Sequence, residues 1–277
     1  MSTVSTAEPT AAERLSADVA EMLREQHDYR ELLYQMTRRD LLLRYKQTVM
    51  GFGWAVFMPI INTILFSVVF MRVARLDVGV PYPLFAYTGL LVWNFFASAL
   101  RFSVASLTAN INLVAKVYFP REIFPFSAVI VSAVDFAVGA ILLVAMMAYY
   151  RVAPTPAILI LPAIVVIQIA LTAAVALLLA MANLFYRDVK YLFEVMITVW
   201  MFATSVLYPV DRVTGWAGRL LRLNPMTPIV DAYRSVLLRG ELPPFEPLAI
   251  TAVVSFVLLA SVWLVFHRSE YQFAEYI

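Results

Sequence analysis

The chain contains no cysteine, and His27 and His267 are the only histidines among its 277 residues. Without cysteine there are no disulfides, no thiolate metal sites and no cysteine nucleophile. Both histidines fall outside the apolar runs, which argues against a metal- or histidine-based enzyme. Glycine is sparse, eight in all, and none precedes a lysine, so the chain has no phosphate-binding P-loop. It also lacks a Gly-x-Ser-x-Gly elbow, paired histidine ligands and paired carboxylates. Charge is scarce as well: charged residues are 14% of the chain against 62% hydrophobic, with a mean hydropathy of +0.79. Soluble domains run closer to half apolar and a quarter charged, so this is the composition of an integral membrane protein. The expected fold is all-α and polytopic, and at roughly 20 apolar residues per span the length accommodates about six spans.

Residues 1 to about 20 are polar with no apolar h-region, and are expected to be disordered. Residues 1–28 thus read as a tail plus the start of an amphipathic helix that runs from about Val19 to Lys46. Tyr29, Leu32, Leu33, Met36 and Leu43 recur at helical spacing, while Arg30, Glu31, Arg38 and Arg39 face away. Such a helix suits the headgroup plane, with Arg44 and Lys46 level with lipid phosphates; an ordinary surface helix is the alternative. Residues 29–267 read as one membrane domain with the interfacial helix at its start. Its apolar runs are about Phe52–Met71 (kinked by Pro59), Leu84–Leu107, Phe126–Tyr149, Ile158–Phe185, Leu192–Tyr208 and Leu248–Phe266. A short tail, 268–277, ends the chain.

Lysine and arginine set the orientation. Arg14, Arg24, Arg30, Arg38, Arg39, Arg44, Lys46, Arg101, Lys116, Arg121, Arg187, Lys190 and Arg268 fall on one side, which the positive-inside rule makes cytoplasmic together with both termini. The stretch after the fifth run strains that rule, with Arg212, Arg219, Arg222, Arg234 and Arg239 outside. Asp135, near the middle of the third run, is costly in lipid and should face protein or water. A structural pairing, with Arg101 as the candidate partner, is favoured over a transport role.

Two interruptions carry most of the remaining information. Asn110–Ser127 holds Lys116, Arg121 and Glu122 between Pro120 and Pro125 and their flanks. It reads either as a plain connector or as a rigid handle that a soluble partner can reach. Pro209–Pro244 reads as two short helices. The first, about Val213–Leu223, stops at Asn224-Pro225. The second has Thr227 as N-cap and Pro228 at its first position, an Asp231–Arg234 pair one turn apart, and Gly240 as terminator. The hairpin either enters the outer leaflet and returns, with its arginines at headgroup level, or lies flat on the surface. Trp93, Phe96, Trp200 and Tyr208 are candidate channel aromatics, suited to sugar faces, or else interfacial anchors.

Three stretches, RYKQTVMGFGW, VAKVYFPREIFP and LNPMTPIVDAYRSVLLRG, resemble type-2 ATP-binding-cassette exporter permeases of the branch that moves lipid-linked polysaccharides. The resemblance covers nearly the whole chain beyond about residue 28. It implies that Lys116, Val117, Tyr118, Phe119, Pro120, Arg121 and Glu122 belong to the loop that receives an ATPase. It also implies that Tyr29, Arg38, Arg39, Arg44 and Lys46 lie on an interfacial helix near substrate access. Trp216, Arg219, Asn224, Pro225, Thr227, Asp231, Tyr233 and Arg234 then belong to a periplasmic gate. The implied partners are a second copy of the chain, two nucleotide-binding subunits that hold ATP and Mg, membrane lipids and a polymer substrate such as O-antigen, capsule or teichoic acid. No cofactor in this chain, no metal site and no nucleic acid are implied, and the location is the plasma or inner membrane. The alternatives are the same fold exporting a drug, haem or small lipid, and, further off, a membrane-embedded transferase or ion-coupled carrier.

Overall fold

The computed structural model describes residues 11–46, 51, 53–73, 78–116 and 119–273, and among these every regular element is helical. Helix α1 spans Ala11–Asp28 and α2 spans Arg30–Tyr45. They are followed by α3 (Gly53–Val68, with a π turn to Val73) and α4 (Tyr82–Val104). The short α5 (Ser106–Ala109) and α6 (Ile111–Lys116) lead to α7 (Ile123–Tyr149) and α8 (Leu161–Phe185). After α9 (Val189–Phe202) come the hairpin helices α10 (Gly215–Leu223) and α11 (Met226–Arg234), and then α12 (Phe245–Phe273).

Among the described residues, four helices are long and apolar enough to cross a membrane: α4, α7, α8 with its preceding 3-10 turn, and α12. α3 adds a shorter apolar stretch, Val56–Met71. In α4, 83% of the apolar window is buried inside the molecule, against 28% in α7 and 22% in α12. α4 is therefore the axis of the bundle, and α7 and α12 present most of their apolar surface outward, where lipid belongs.

Lipid tails are as apolar as leucine, so close packing and polar bridges hold such a bundle more than burial does. Buried alanines along α8 (Ala170, Ala173, Ala174, Ala176, Ala180) let its neighbours approach closely. At Gly139 on α7 an added Cβ would sit 2.5 Å from Leu91 of α4. Tyr87 on α4 donates to the Gly139 carbonyl at 2.8 Å. Gln168 on α8 donates to the Val92 carbonyl at 2.9 Å and accepts from the Tyr233 hydroxyl at 2.7 Å, which ties α4, α8 and α11 together.

Several expectations are revised. A helix begins at Ala11, inside the stretch expected to be disordered; Met22 is buried, and Asp18 accepts from Arg268 at 2.6 Å, so contacts with α12 stabilise it. The amphipathic run is two helices joined at Tyr29. Tyr29, Leu32, Leu33 and Met36 share one face at the expected helical spacing, and that face packs on the core; Leu43 is 66% exposed. α9 stops at Phe202, short of Tyr208, because the chain turns through Thr204–Val206. α12 continues past Phe266 to Phe273, since Phe266, Glu270 and Phe273 are buried, and most of the expected tail is helix. Residues 1–10 and 274–277 lie outside the described residues.

Candidate functional site

The loop between α6 and α7 was expected to hold its charges out to a partner. Lys116 does so, but Phe119 and Pro120 are buried, the Arg121 side chain is 11% exposed and Glu122 is fully buried. Val117 and Tyr118 lie outside the described residues. Arg121 donates to Glu270 Oε1 at 3.0 Å from its guanidinium and at 2.9 Å from its backbone N–H. Glu122 Oε1 accepts from the Trp263 indole at 3.2 Å and stands 3.7 Å from His267 Nδ1. Burial pushes the Glu122 carboxyl up, but His267, its own backbone amide and Trp263 outweigh that and hold it below the usual carboxylate range. Both charged side chains thus turn inward and fasten the loop to the end of α12. Pro125 sits in the first turn of α7, where a missing N–H breaks no helical bond.

A cavity of about 520 Å3 opens between α2, α4 and α7, lined by Asp40, Leu43, Arg44, Arg101, Phe102 and Phe124 among others. Arg44 reaches into the bundle, stacks 3.7 Å from the Phe102 ring centroid and pairs with Asp135. Asp135 also accepts from the Tyr45 hydroxyl. The expected partner, Arg101, instead binds Glu194 of α9 at 2.9 Å, with both side chains about half exposed. Asp135 lies on the α7 face that packs against α2, which places Arg44 nearer. Asp40, also on α2, accepts from Ser127 of α7 at 2.9 Å. Of the other residues predicted on this helix, Arg38 and Lys46 are exposed, and Arg39 pairs with Asp40.

At the opposite end, α10 and α11 form the hairpin. α11 starts at Met226 with Pro225 before it, so Thr227 is already helical; its hydroxyl is buried without a partner among the described residues and is not the N-cap. The capping falls to Asn224, whose Oδ1 accepts from the Met226 N–H at 3.0 Å and from the Trp200 indole at 3.0 Å. Its amide donates to the Ala203 carbonyl at 2.7 Å and to Thr204 Oγ1 at 2.8 Å, so one side chain joins the hairpin bend to the end of α9. Gly240 ends the hairpin in the left-handed region (φ 71), as expected, and Thr155 donates to its carbonyl at 3.0 Å.

The Asp231–Arg234 pair forms at 3.6 Å, with Arg234 buried inside the protein. It is 1% exposed, donates to the carbonyls of Ser205, Val206 and Phe85, and stacks 3.5 Å from the Phe85 ring centroid. Arg212, Arg219, Arg222 and Arg239 are exposed. Trp216, Leu220 and Leu223 form an outward apolar face on α10. Trp93 and Phe96 are core residues that pack edge-to-face or tilted with one another and with Trp200. Tyr208 donates to the Phe202 carbonyl. Sequence reasoning missed Gln168, Glu194, Trp263 and Glu270. Their partners are far away in sequence, and only a polar residue inside an apolar helix, such as Gln168, signalled them.

The profile of the ABC-2 type transporter family matches residues 31–238, from α2 to the end of the hairpin. The chain belongs to that family. Curated relatives agree over greater lengths. The O-antigen export system permease protein RfbA of Myxococcus xanthus is 31% identical over 258 residues, covering 92% of this chain and 99% of the relative. Two proteins of the same name from Klebsiella pneumoniae are 28% and 27% identical over 246 residues, each covering 88% of this chain and 94% of the relative. For an ABC-2 type transporter the matched segment contains both the inward-pinned loop and the hairpin. All of α1 and all of α12 lie outside it.

Proposed function

We propose that this chain is the membrane-spanning permease of an ATP-driven exporter that carries a lipid-linked polysaccharide of the O-antigen class out of the cytoplasm. The observation that carries the substrate class is the near full-length likeness to relatives named as O-antigen export permeases. Two copies of the chain and two separate nucleotide-binding subunits, which hold ATP and Mg, complete the transporter. Six crossings follow if α3 with its π turn and α9 with the turn after it each span the membrane. The 21 residues of Gly53–Val73 are about 31 Å long as helix, which matches the hydrocarbon core. Both termini are then cytoplasmic and the membrane is the inner or plasma membrane.

The geometry supports a division of labour. At the cytoplasmic end, exposed Lys116 meets the ATPase, and the buried Arg121–Glu270 and Glu122–Trp263 contacts pass its movement to α12 and α7. The groove of Arg44 and Arg101 suits an anionic headgroup arriving from the inner leaflet, its basic side chains held above apolar walls. The hairpin, locked by Asn224 and Arg234, closes the far side at rest. A strain lacking this chain should lose surface polymer, retain it on its lipid carrier inside the cell, and recover on complementation. Unchanged surface polymer in the deletion strain would defeat this reading.

A further inference from the structure

Where the loop meets α12, three carboxylates surround one imidazole. His267 Nδ1 lies 3.7 Å from Glu122 Oε1, 3.8 Å from Glu270 Oε2 and 3.9 Å from Glu25 Oε2. Donor atoms of Glu25, Glu122 and His267 all fall within 4.8 Å of one another. None of these separations from Nδ1 is a hydrogen bond. Two atoms of the group are buried with no hydrogen-bond partner among the described residues: His267 Nδ1 and Glu122 Oε2, the latter on a fully buried side chain. Buried polar atoms are rarely left unpaired, and one that is calls for an ion or another ligand.

We propose that Glu25, Glu122 and His267 bind a single divalent transition cation of the zinc type, with Glu270 facing the same point. Three features favour a cation. The first is spacing: four-coordinate zinc with bonds of about 2.0–2.2 Å holds its donors roughly 3.4 Å apart; the carboxylate oxygens stand 3.7–3.9 Å from His267 Nδ1, and the donors of Glu25, Glu122 and His267 lie within 4.8 Å of one another, so rotamer adjustments of about an ångström or less bring them to that spacing. The second is charge. Three carboxylates gather around His267 and the one guanidinium beside them, Arg121, is already bound to Glu270, so a divalent cation finds carboxylate oxygens in excess there. The third is donor type, since a nitrogen donor in a buried site selects against Mg and Ca, which prefer all-oxygen shells and retain water.

The donors come from three separate elements: α1, the loop before α7, and α12. A bound cation therefore clasps the amino-terminal helix and the loop to the end of α12, and makes their docking depend on metal. Asp18 and Arg268 already join α1 to α12 at 2.6 Å, which brings Glu25 close without the cation. The site stands apart from the transport reading, because its test is binding rather than export.

The full-length permease, purified in detergent with a tag free of histidine, would be stripped with EDTA and titrated with Zn2+ by calorimetry. Metal content after dialysis and thermal unfolding would be read in parallel. One Zn2+ per chain is expected, with an unfolding temperature that rises on binding and falls again with EDTA. H267Q and E25Q should each weaken binding at least about tenfold, as loss of even a supporting partner does at metal sites. E25Q tests the site without disturbing the buried loop, because Glu25 is on α1 at its rim. H27Q should change nothing, since the His27 ring hydrogen-bonds Arg30 on the exposed face of α1 and α2, away from the cluster. No saturable Zn2+ binding at micromolar concentrations would overturn the proposal. So would binding that survives both H267Q and E25Q, or that H27Q abolishes.

Discussion

Replacing Arg234 with methionine keeps the length of the side chain and removes every donor at its tip. In the native chain that tip supplies the carbonyls of Ser205, Val206 and Phe85 and stacks on the Phe85 ring. Hydrogen bonds to a charged group are worth about 1.5–3 kcal/mol each, and a desolvated cation–π contact adds up to about 2 kcal/mol. Relief of the cost of burying a guanidinium offsets part of the loss, so the net is set by the three carbonyls left without a donor. Disrupting a buried charge arrangement costs about 3–5 kcal/mol. For a chain of this size that shifts the midpoint by on the order of 5–15 °C. Fluorescence-monitored unfolding of the purified protein in detergent reads this directly. R234K, which keeps the charge and loses the fork, should fall between wild type and R234M. Gly89→Ala should destabilise in the same direction, because its Cβ would lie 2.4 Å from Arg234 Nη2 and from the Val206 carbonyl. Unfolding of R234M within about 1 °C of wild type would mean that the guanidinium does not hold the turn to the hairpin.

Three further outcomes are expected. A double-mutant cycle on Arg44→Ala and Asp135→Asn should give a coupling of about 1–3 kcal/mol, whereas Arg101→Ala with Glu194→Gln should give less than about 1 kcal/mol, because that pair is half exposed; equal couplings would contradict the pairing. Asn224→Ala leaves the Met226 N–H and the Trp200 indole unpaired, so it should cost about 1–2 kcal/mol and speed hydrogen exchange at 203–206 and 226. Unaltered exchange there would count against Asn224 as the joint. Cysteine is absent from the native chain, so Ala153→Cys should react with an impermeant maleimide in intact cells and Arg187→Cys only after lysis; the reverse pattern would invert the orientation.

Composition and apolar run length made the helical membrane fold legible, because the bilayer imposes a length and a polarity that appear directly in one dimension. The apolar face of α2 and the stop at Gly240 were legible for the same local reason: a period of 3.6 and a left-handed φ are properties of the neighbouring residues. Partners were not. Asp135 announced that it needed one, but choosing Arg44 over Arg101 depends on how α2 lies across α7, which no spacing encodes. Thr227-Pro228 has the form of a helix start, yet Asn224 caps the helix first because the end of α9 offers it further partners. Arg121 and Glu122 have the composition of an exposed handle. They turn inward because Glu270, Trp263 and His267 converge on them from a helix more than a hundred residues later.

ATP-driven movement of a lipid-linked polysaccharide is tested most directly in proteoliposomes that hold this chain, its ATPase partner and the labelled polymer on its lipid carrier. A lectin confined to the side opposite the ATPase reads translocation. The account predicts that lectin-accessible polymer rises with ATP and Mg, stays flat with an ATPase unable to hydrolyse ATP, and falls when Arg44 in the groove is replaced by alanine. Polymer that stays on the ATPase side while ATP is consumed, or that crosses equally without ATP, would contradict it.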